Sequence, residues 1–135
     1  MSADRLDSCP FCRLAGSGPD RAILDETDNV LAFEDAYPSA PGHVLVVPRR
    51  HVGRLLDLSE DEFHDLWYLA RSQMRRIEPD GCEAFTIGVN DGAAAGQTIA
   101  HAHLHIIPRR QGDTAEAKGG VRWALPETAP YWNTH

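Results

Sequence analysis

The chain has 135 residues, 42% hydrophobic and 24% charged, with a net charge of −7 when histidine is neutral. This length fits one domain, 1–135, that buries a core without disulfide staples, and the acidic balance argues against a broad footprint on nucleic acid while leaving room for a small phosphate ligand in a local nest of backbone N–H groups. No apolar run approaches the roughly 20 residues of a membrane span, and the polar start MSADRLDS has no signal-peptide core, so no membrane partner and a cytoplasmic location are expected.

Cys9 and Cys12 form CPFC at the start, while Cys82 stands alone in DGCEAF. An odd count speaks against a disulfide framework, and Cys82 reads as a small apolar packing residue. A helical turn is expected after the cysteine pair, before Gly16-Ser17-Gly18-Pro19 breaks the chain. Two short strands, Ala22–Asp25 and Val30–Glu34, flank the turn Thr27-Asp28-Asn29. The loop AYPSAPG leads into the strand HVLVVP (43–48), which Pro48 stops.

The segment LSEDEFHDLWYLARSQMRRI has Ser59 as N-cap, Glu62 at the capping-box position and acidic residues in its first turn. Phe63, Leu66, Trp67, Ala70, Met74 and Ile77 recur every three or four residues, which predicts a helix over 60–77 with Pro79 beyond its end. Trp67 and Tyr68 lie on adjacent faces, so one face can pack on a sheet while the other serves an interface. His64 and the terminal His135 are expected to face solvent. EAFTIGVN (83–90) reads as a strand, DGAAAG (91–96) as a small-residue loop and IAHAHLHIIP (99–108) as the last long strand. The tail, 111–135, reads as irregular, yet Trp123, Tyr131 and Trp132 should give part of it something to pack against. Strands, one long helix and two more strands predict an α+β fold with a mainly antiparallel sheet.

In an extended strand His101, His103 and His105 share one face, and Ala102, Leu104 and Ile106 the other. A solvated polar face is the plain alternative, but strands ordinarily use Thr, Lys or Glu for that purpose. Three imidazoles at this spacing extend about 13 Å, too far for one metal ion to bind all three with ease. The preceding DGAAAG loop lets backbone N–H groups approach an anion, and Gln97 and Thr98 add neutral donors. This combination suits a phosphoryl group: one imidazole can attack phosphorus while a second donor stabilises the developing charge.

HAHLHII fits the pattern His-φ-His-φ-His-φ-φ, with φ apolar, and on it the chain resembles the histidine-triad (HIT) superfamily of nucleotide hydrolases and transferases. VLAFEDAYPSAPGHVLVVPRRH is similar to that family's strand–loop–strand segment, NDGAAAGQT to its phosphate loop, and GDTAEAKGGVRWALPE to the tail of bacterial members. The resemblance implies a HIT-like fold: about five antiparallel strands, one long helix and a short N-terminal helix, assembled as a homodimer. It implies His103 as the nucleophile on the α-phosphorus, through a nucleotidyl-histidine intermediate that water resolves, with His105 and Gln97 completing the catalytic set. His105, Gln97 and Thr98 would contact phosphate, Asn90 and the Gly96 backbone would line the pocket, Asp35 would take the ribose hydroxyls, and His43 would sit near base or phosphate. A carboxylate accepting from both hydroxyls makes chemical sense of Asp35. The ligands implied are purine mono- or dinucleotides. Both dinucleoside polyphosphates and nucleoside phosphoramidates or aminoacyl-adenylates remain open, with the tail and RRQGD tilting slightly to the first.

CPFC has C-x2-C spacing, and a structural zinc needs two further ligands. The zinc-bearing branch of the superfamily implies the set Cys9, Cys12, His51 and His101. The alternative is a pair of reduced thiols beside a loop histidine; a thioredoxin-like use is disfavoured because no βαβ unit surrounds the motif. Four protein ligands would make the zinc structural, and no cofactor is expected for catalysis. A function of another class, a non-catalytic nucleotide-binding and zinc-stabilised interaction module, is disfavoured because no histidine of the motif is replaced.

Overall fold

The computed structural model describes residue 6 and residues 8–16 and 22–134. Helix α1 (Pro10–Ala15) is followed by strands β1 (Asp25–Glu26), β2 (Val30–Glu34) and β3 (Val44–Pro48), helix α2 (Glu60–Ile77), and strands β4 (Ala84–Gly88) and β5 (Leu104–Arg109). The strands form one sheet in the order β1-β2-β3-β5-β4, with every neighbouring pair antiparallel. This is the expected α+β arrangement of five strands, one long helix and a short N-terminal helix.

Alternation along the central strands divides the interior in two. Val30, Ala32, Val44, Val46, Leu104 and Ile106 face α2 and pack against Leu66, Leu69, Ala70, Ile77 and Cys82. Leu31, Phe33, Leu45 and Val47 face the other way and pack against Cys9, Phe11, Cys12 and Ala15 of the N-terminal segment. β2 and β3 are therefore apolar on both faces, which explains their unbroken hydrophobic runs. Helix α2 starts where the sequence places it: Ser59 Oγ accepts from the Glu62 N–H, and the Glu62 carboxylate accepts from the Ser59 N–H.

Several expectations need correction. The first strand is not Ala22–Asp25 but Asp25–Glu26, since the ladder to β2 starts at Asp25 opposite Ala32; half-buried Ile23 packs on the α1 cluster instead. The helical turn at the cysteines starts at Pro10, a favoured first position, and so includes Cys12. On α2, Phe63 and Trp67 are exposed while Leu69 and Gln73 are buried, so the core stripe is rotated from the expected one. The last strand begins at Leu104 instead of residue 99 because the 99–103 segment is held otherwise: the His101 N–H donates to the Ile99 carbonyl and the Ala102 N–H to the Val52 carbonyl. The tail is not wholly irregular: 3-10 turns at Gly120–Ala124 and Tyr131–Thr134 bring Trp123 edge-on to Trp132 at 6.4 Å. Cys82 is buried in the core and His64 is exposed, as expected, while 17–19 of the predicted break and His135 lie outside the described residues. Among the described residues no helix is long and apolar enough to cross a membrane.

Ser59→Ala removes the N-cap acceptor and is expected to lower the unfolding free energy by about 1 kcal/mol, read as a shift of the urea midpoint with unchanged slope.

Candidate active site

Register sets the chemical face. His105 lies opposite Leu45 in the β3–β5 ladder, so its side chain falls on the α1 side of the sheet while Leu104 and Ile106 enter the α2 core. His101 and His103 precede the ladder, yet the His103 and His105 rings still stand 5.0 Å apart. His43, His101 and His103 are buried, and His105 is half-buried.

Hydrogen bonds assign each ring a tautomer. Ser39 N–H donates to His43 Nδ1 at 3.0 Å, so His43 carries its proton on Nε2. That Nε2 lies 2.9 Å from His105 Nδ1, which therefore accepts, leaving His105 with an Nε2–H donor. His103 Nδ1 lies 2.8 Å from the His101 carbonyl, which can only accept, so His103 is an Nδ1–H tautomer with its lone pair on Nε2. His101 donates from Nε2 to the Pro48 carbonyl at 2.7 Å, leaving its lone pair on Nδ1. Burial pushes His101 down to about 4, with the Pro48 bond opposing and the neighbouring His51 and His103 adding to the shift.

The His101 Nδ1 points into a cluster with Cys9, Cys12 and His51 whose ligand atoms all lie within 4.8 Å of one another. Both thiol sulfurs are 3.5 Å from His101 Nδ1, and Cys12 Sγ is 3.2 Å from His51 Nδ1. A tetrahedral zinc with Zn–S of about 2.3 Å and Zn–N of about 2.0–2.1 Å sets each sulfur about 3.6 Å from each nitrogen. The donor set fits such an ion in type, number and spacing, and all four expected ligands meet. A second group, Asp35, His43 and His105, also lies within 4.8 Å. Its bonds suit a proton-ordered chain instead of a metal, because both His43 nitrogens are already committed and Asp35 lies 3.5 Å from the Nε2 that carries the proton.

Beside these rings opens a cavity of about 1140 Å³. Asp35, Asn90, Gly96, Thr98, His103 and His105 line its polar side, and Pro10, Phe11, Leu14, Ile23, Leu24 and Phe33 its apolar side. Gln97 is not among the lining residues. Its amide oxygen accepts from Gly92 N–H, and its amide nitrogen donates to the carbonyls of Gly53 and Ile99. The loop before it turns through Gly92 and Gly96, both at positive φ, and uses the N–H groups of Ala95, Gly96 and Gln97 for its own turns.

The expected residues Asp35, His43, Asn90, Gly96, Thr98, His103 and His105 come together around this cavity, with His43 one bond behind His105. The apolar wall was not anticipated. Phe11, inside CPFC, stands edge-on to His103 at 5.2 Å and to His101 at 5.6 Å, and Phe33 lies 5.4 Å from it. Its only signal in the sequence was an aromatic residue between two prospective metal ligands.

A five-stranded antiparallel sheet with HAHLHII running into its last strand beside an open cavity defines a histidine-triad type of protein. The HIT domain family model matches residues 18–112, and the chain belongs to that family. An uncharacterised HIT-like protein of Methanocaldococcus jannaschii is 34% identical over 112 residues, covering 83% of this chain and 87% of that protein. The adenosine 5'-monophosphoramidase of Schizosaccharomyces pombe is 34% identical over 123 residues, covering 91% and 88%. The asymmetrical bis(5'-nucleosyl)-tetraphosphatase of the same yeast is 46% identical over 86 residues, or 63% of this chain, which spans about half (47%) of that longer protein. A zinc-bound histidine triad family protein from Mycobacterium smegmatis superposes with a TM-score of 0.70 at 28% identity, covering 95% of this chain and 98% of that one.

Burial, reinforced by the His103 and His43 rings and opposed by Asp35, pushes His105 down to about 4. The unfolded chain takes up a proton below about pH 6.5 that the folded site refuses, so this stability is complete above that pH and is lost as the pH falls towards 4. Urea midpoints are expected to drop more steeply across that window in the wild type than in His105→Asn, whose amide oxygen can still accept from His43. Parallel slopes would contradict the assignment.

Proposed function

We propose that the chain is a nucleotide hydrolase or transferase that cleaves at the α-phosphorus of a purine dinucleoside polyphosphate or nucleoside phosphoramidate and releases a nucleoside monophosphate. The observation that carries this reading is the His103 tautomer. With Nδ1–H held by the His101 carbonyl, the Nε2 lone pair is the nucleophilic atom of a ring that lines the cavity. Nε2 forms a bond to phosphorus as the bond to the leaving group breaks. The leaving group takes the bonding electron pair, and a proton from solvent where it is an amine. A water oxygen then bonds phosphorus as the P–Nε2 bond breaks, Nε2 recovers its lone pair, and the water's proton passes to solvent. His105 Nε2–H donates to a phosphate oxygen as charge develops there, held in that tautomer by His43. Thr98 and Asn90 add polar contacts, the Gly96 backbone shapes the pocket floor, and Asp35 receives the ribose hydroxyls. Gln97 serves catalysis through the loop it braces.

The two yeast relatives support both substrate classes, since one is named for nucleosyl tetraphosphates and the other for an adenosine phosphoramidate. His103→Ala is expected to abolish AMP release from diadenosine tetraphosphate and from adenosine phosphoramidate by at least about 10³-fold while AMP still binds. Wild-type protein that binds AMP but releases none from either substrate favours the binding-module reading instead.

The same reading assigns a structural zinc to Cys9, Cys12, His51 and His101. When bound, the ion supplies cross-linking of the N-terminal segment to the strands and no chemistry at phosphorus. Protein purified without chelator is expected to hold about one equivalent of zinc by elemental analysis, and less than about half an equivalent contradicts the assignment. The exposed Phe63, Trp67 and Tyr68 of α2 support the homodimer as the assembled form.

A further inference from the structure

Helix α1 has two jobs in one turn and a half. Cys9 and Cys12 bring it to His51 and His101, while Pro10, Phe11 and Leu14 form part of the cavity's apolar wall. The helix is six residues long, has no side-chain cap at Cys9 and no acidic residue in its first turn. A helix that short has little stability of its own, so its position depends on what it is tied to. Its ties include the burial of Phe11, Cys12 and Ala15 against Leu31, Phe33, Leu45 and Val47, and the thiol–imidazole cluster.

Phe11 lies where these ties converge. It is between the two cysteines in sequence, nearly perpendicular to the His101 ring at 84° and to the His103 ring at 70°. From the other direction, the His101 carbonyl holds His103 Nδ1–H. The metal cluster therefore reaches the His103 ring by two routes, through the backbone of 101 and through the Phe11 ring, and it reaches the nucleotide wall through Phe11.

We propose that Phe11 is a positioning residue that transmits metal occupancy to the nucleotide pocket, so that metal and nucleotide each tighten the other's binding. The inference rests on the nucleotide reading above. Ligating Cys9 and Cys12 fixes the turn that carries Phe11, so the wall is ordered before nucleotide arrives. A nucleotide packed on Phe11 holds the same turn in the ligating position. Linkage makes the two effects equal, and couplings of this type amount to about 5- to 150-fold.

The test measures AMP affinity by calorimetry on zinc-loaded and chelator-stripped protein, and zinc release to a chromophoric chelator with and without saturating AMP. Expected are an AMP Kd weakened by about 5- to 150-fold on stripping and a slower zinc release when AMP is bound. Phe11→Ala keeps all four ligands, so it should retain its zinc, bind AMP more weakly and release zinc at a rate indifferent to AMP; Phe11→Leu should restore part of the dependence. Failure of zinc-loaded wild type to bind AMP overturns the nucleotide reading itself. Binding with equal affinity in loaded and in folded, stripped protein overturns only the coupling. If stripped protein loses the circular dichroism of α2, the release experiment decides. AMP-independent release from the wild type, or an AMP effect of the same size in Phe11→Ala, then overturns the role of Phe11.

Discussion

Imidazoles taken out of water must each place their N–H on an acceptor, and that constraint organises the α1 face of the sheet. Leaving one such donor unpaired in the interior costs about 1–3 kcal/mol, so no ring here can turn over without penalty. The acceptors are fixed points: the Pro48 carbonyl at the end of β3 for His101, the His101 carbonyl for His103, and the His105 ring for His43. The chain from Ser39 through His43 to His105 runs in one direction because a backbone N–H starts it. Proton positions at the cavity are thus settled by a carbonyl within the motif and by a backbone N–H in the loop before the neighbouring strand β3.

This arrangement needs a rigid divider, and β2 and β3 supply it. Being apolar on both faces, they let one sheet support two cores of different character. Helix α2, long, capped and amphipathic, covers one face and accounts for much of the buried hydrocarbon. Among the described residues the opposite face is covered in part by the short α1, and the cavity opens beside it. A second long helix there would have filled the space a ligand needs. A short one leaves the space open and still shields the buried rings.

What the sequence disclosed follows the same division. The ends of α2 were readable to the residue because a capping box is a local signal, and β2 was readable from its hydrophobic run between turn residues. Which residues of α2 face inward was not: Phe63 and Trp67 share the helix's apolar arc with Leu69, and only the position of the sheet decides that Leu69 and Gln73 are covered. The start of β5 was misjudged for a related reason. Alternation suits a strand from 99 onward, but hydrogen bonds to Val52 and Ile99 hold that segment out of the ladder. Gln97 shows a further limit, since an amide has the same donors and acceptor whether it faces phosphate or braces a loop. The members of the Cys9, Cys12, His51 and His101 cluster were named from their residue types and the family resemblance. Their convergence, across 92 residues between Cys9 and His101, is a product of the fold.

The three histidines of HAHLHII also show why residue type and spacing underdetermine chemistry. All three are held by hydrogen bonds, and what distinguishes them is which nitrogen is occupied. His101 donates from Nε2 and presents Nδ1 to the cysteines; His103 donates from Nδ1 and presents Nε2 to the cavity; His105 accepts at Nδ1 and presents a proton on Nε2. One side chain becomes, on the proposed reading, a ligand, a nucleophile and a hydrogen-bond donor through three choices of partner. Two of those choices are made by a carbonyl and the third by another imidazole. On that reading the three roles come from the hydrogen-bond partners that select each tautomer, and not from the imidazole itself.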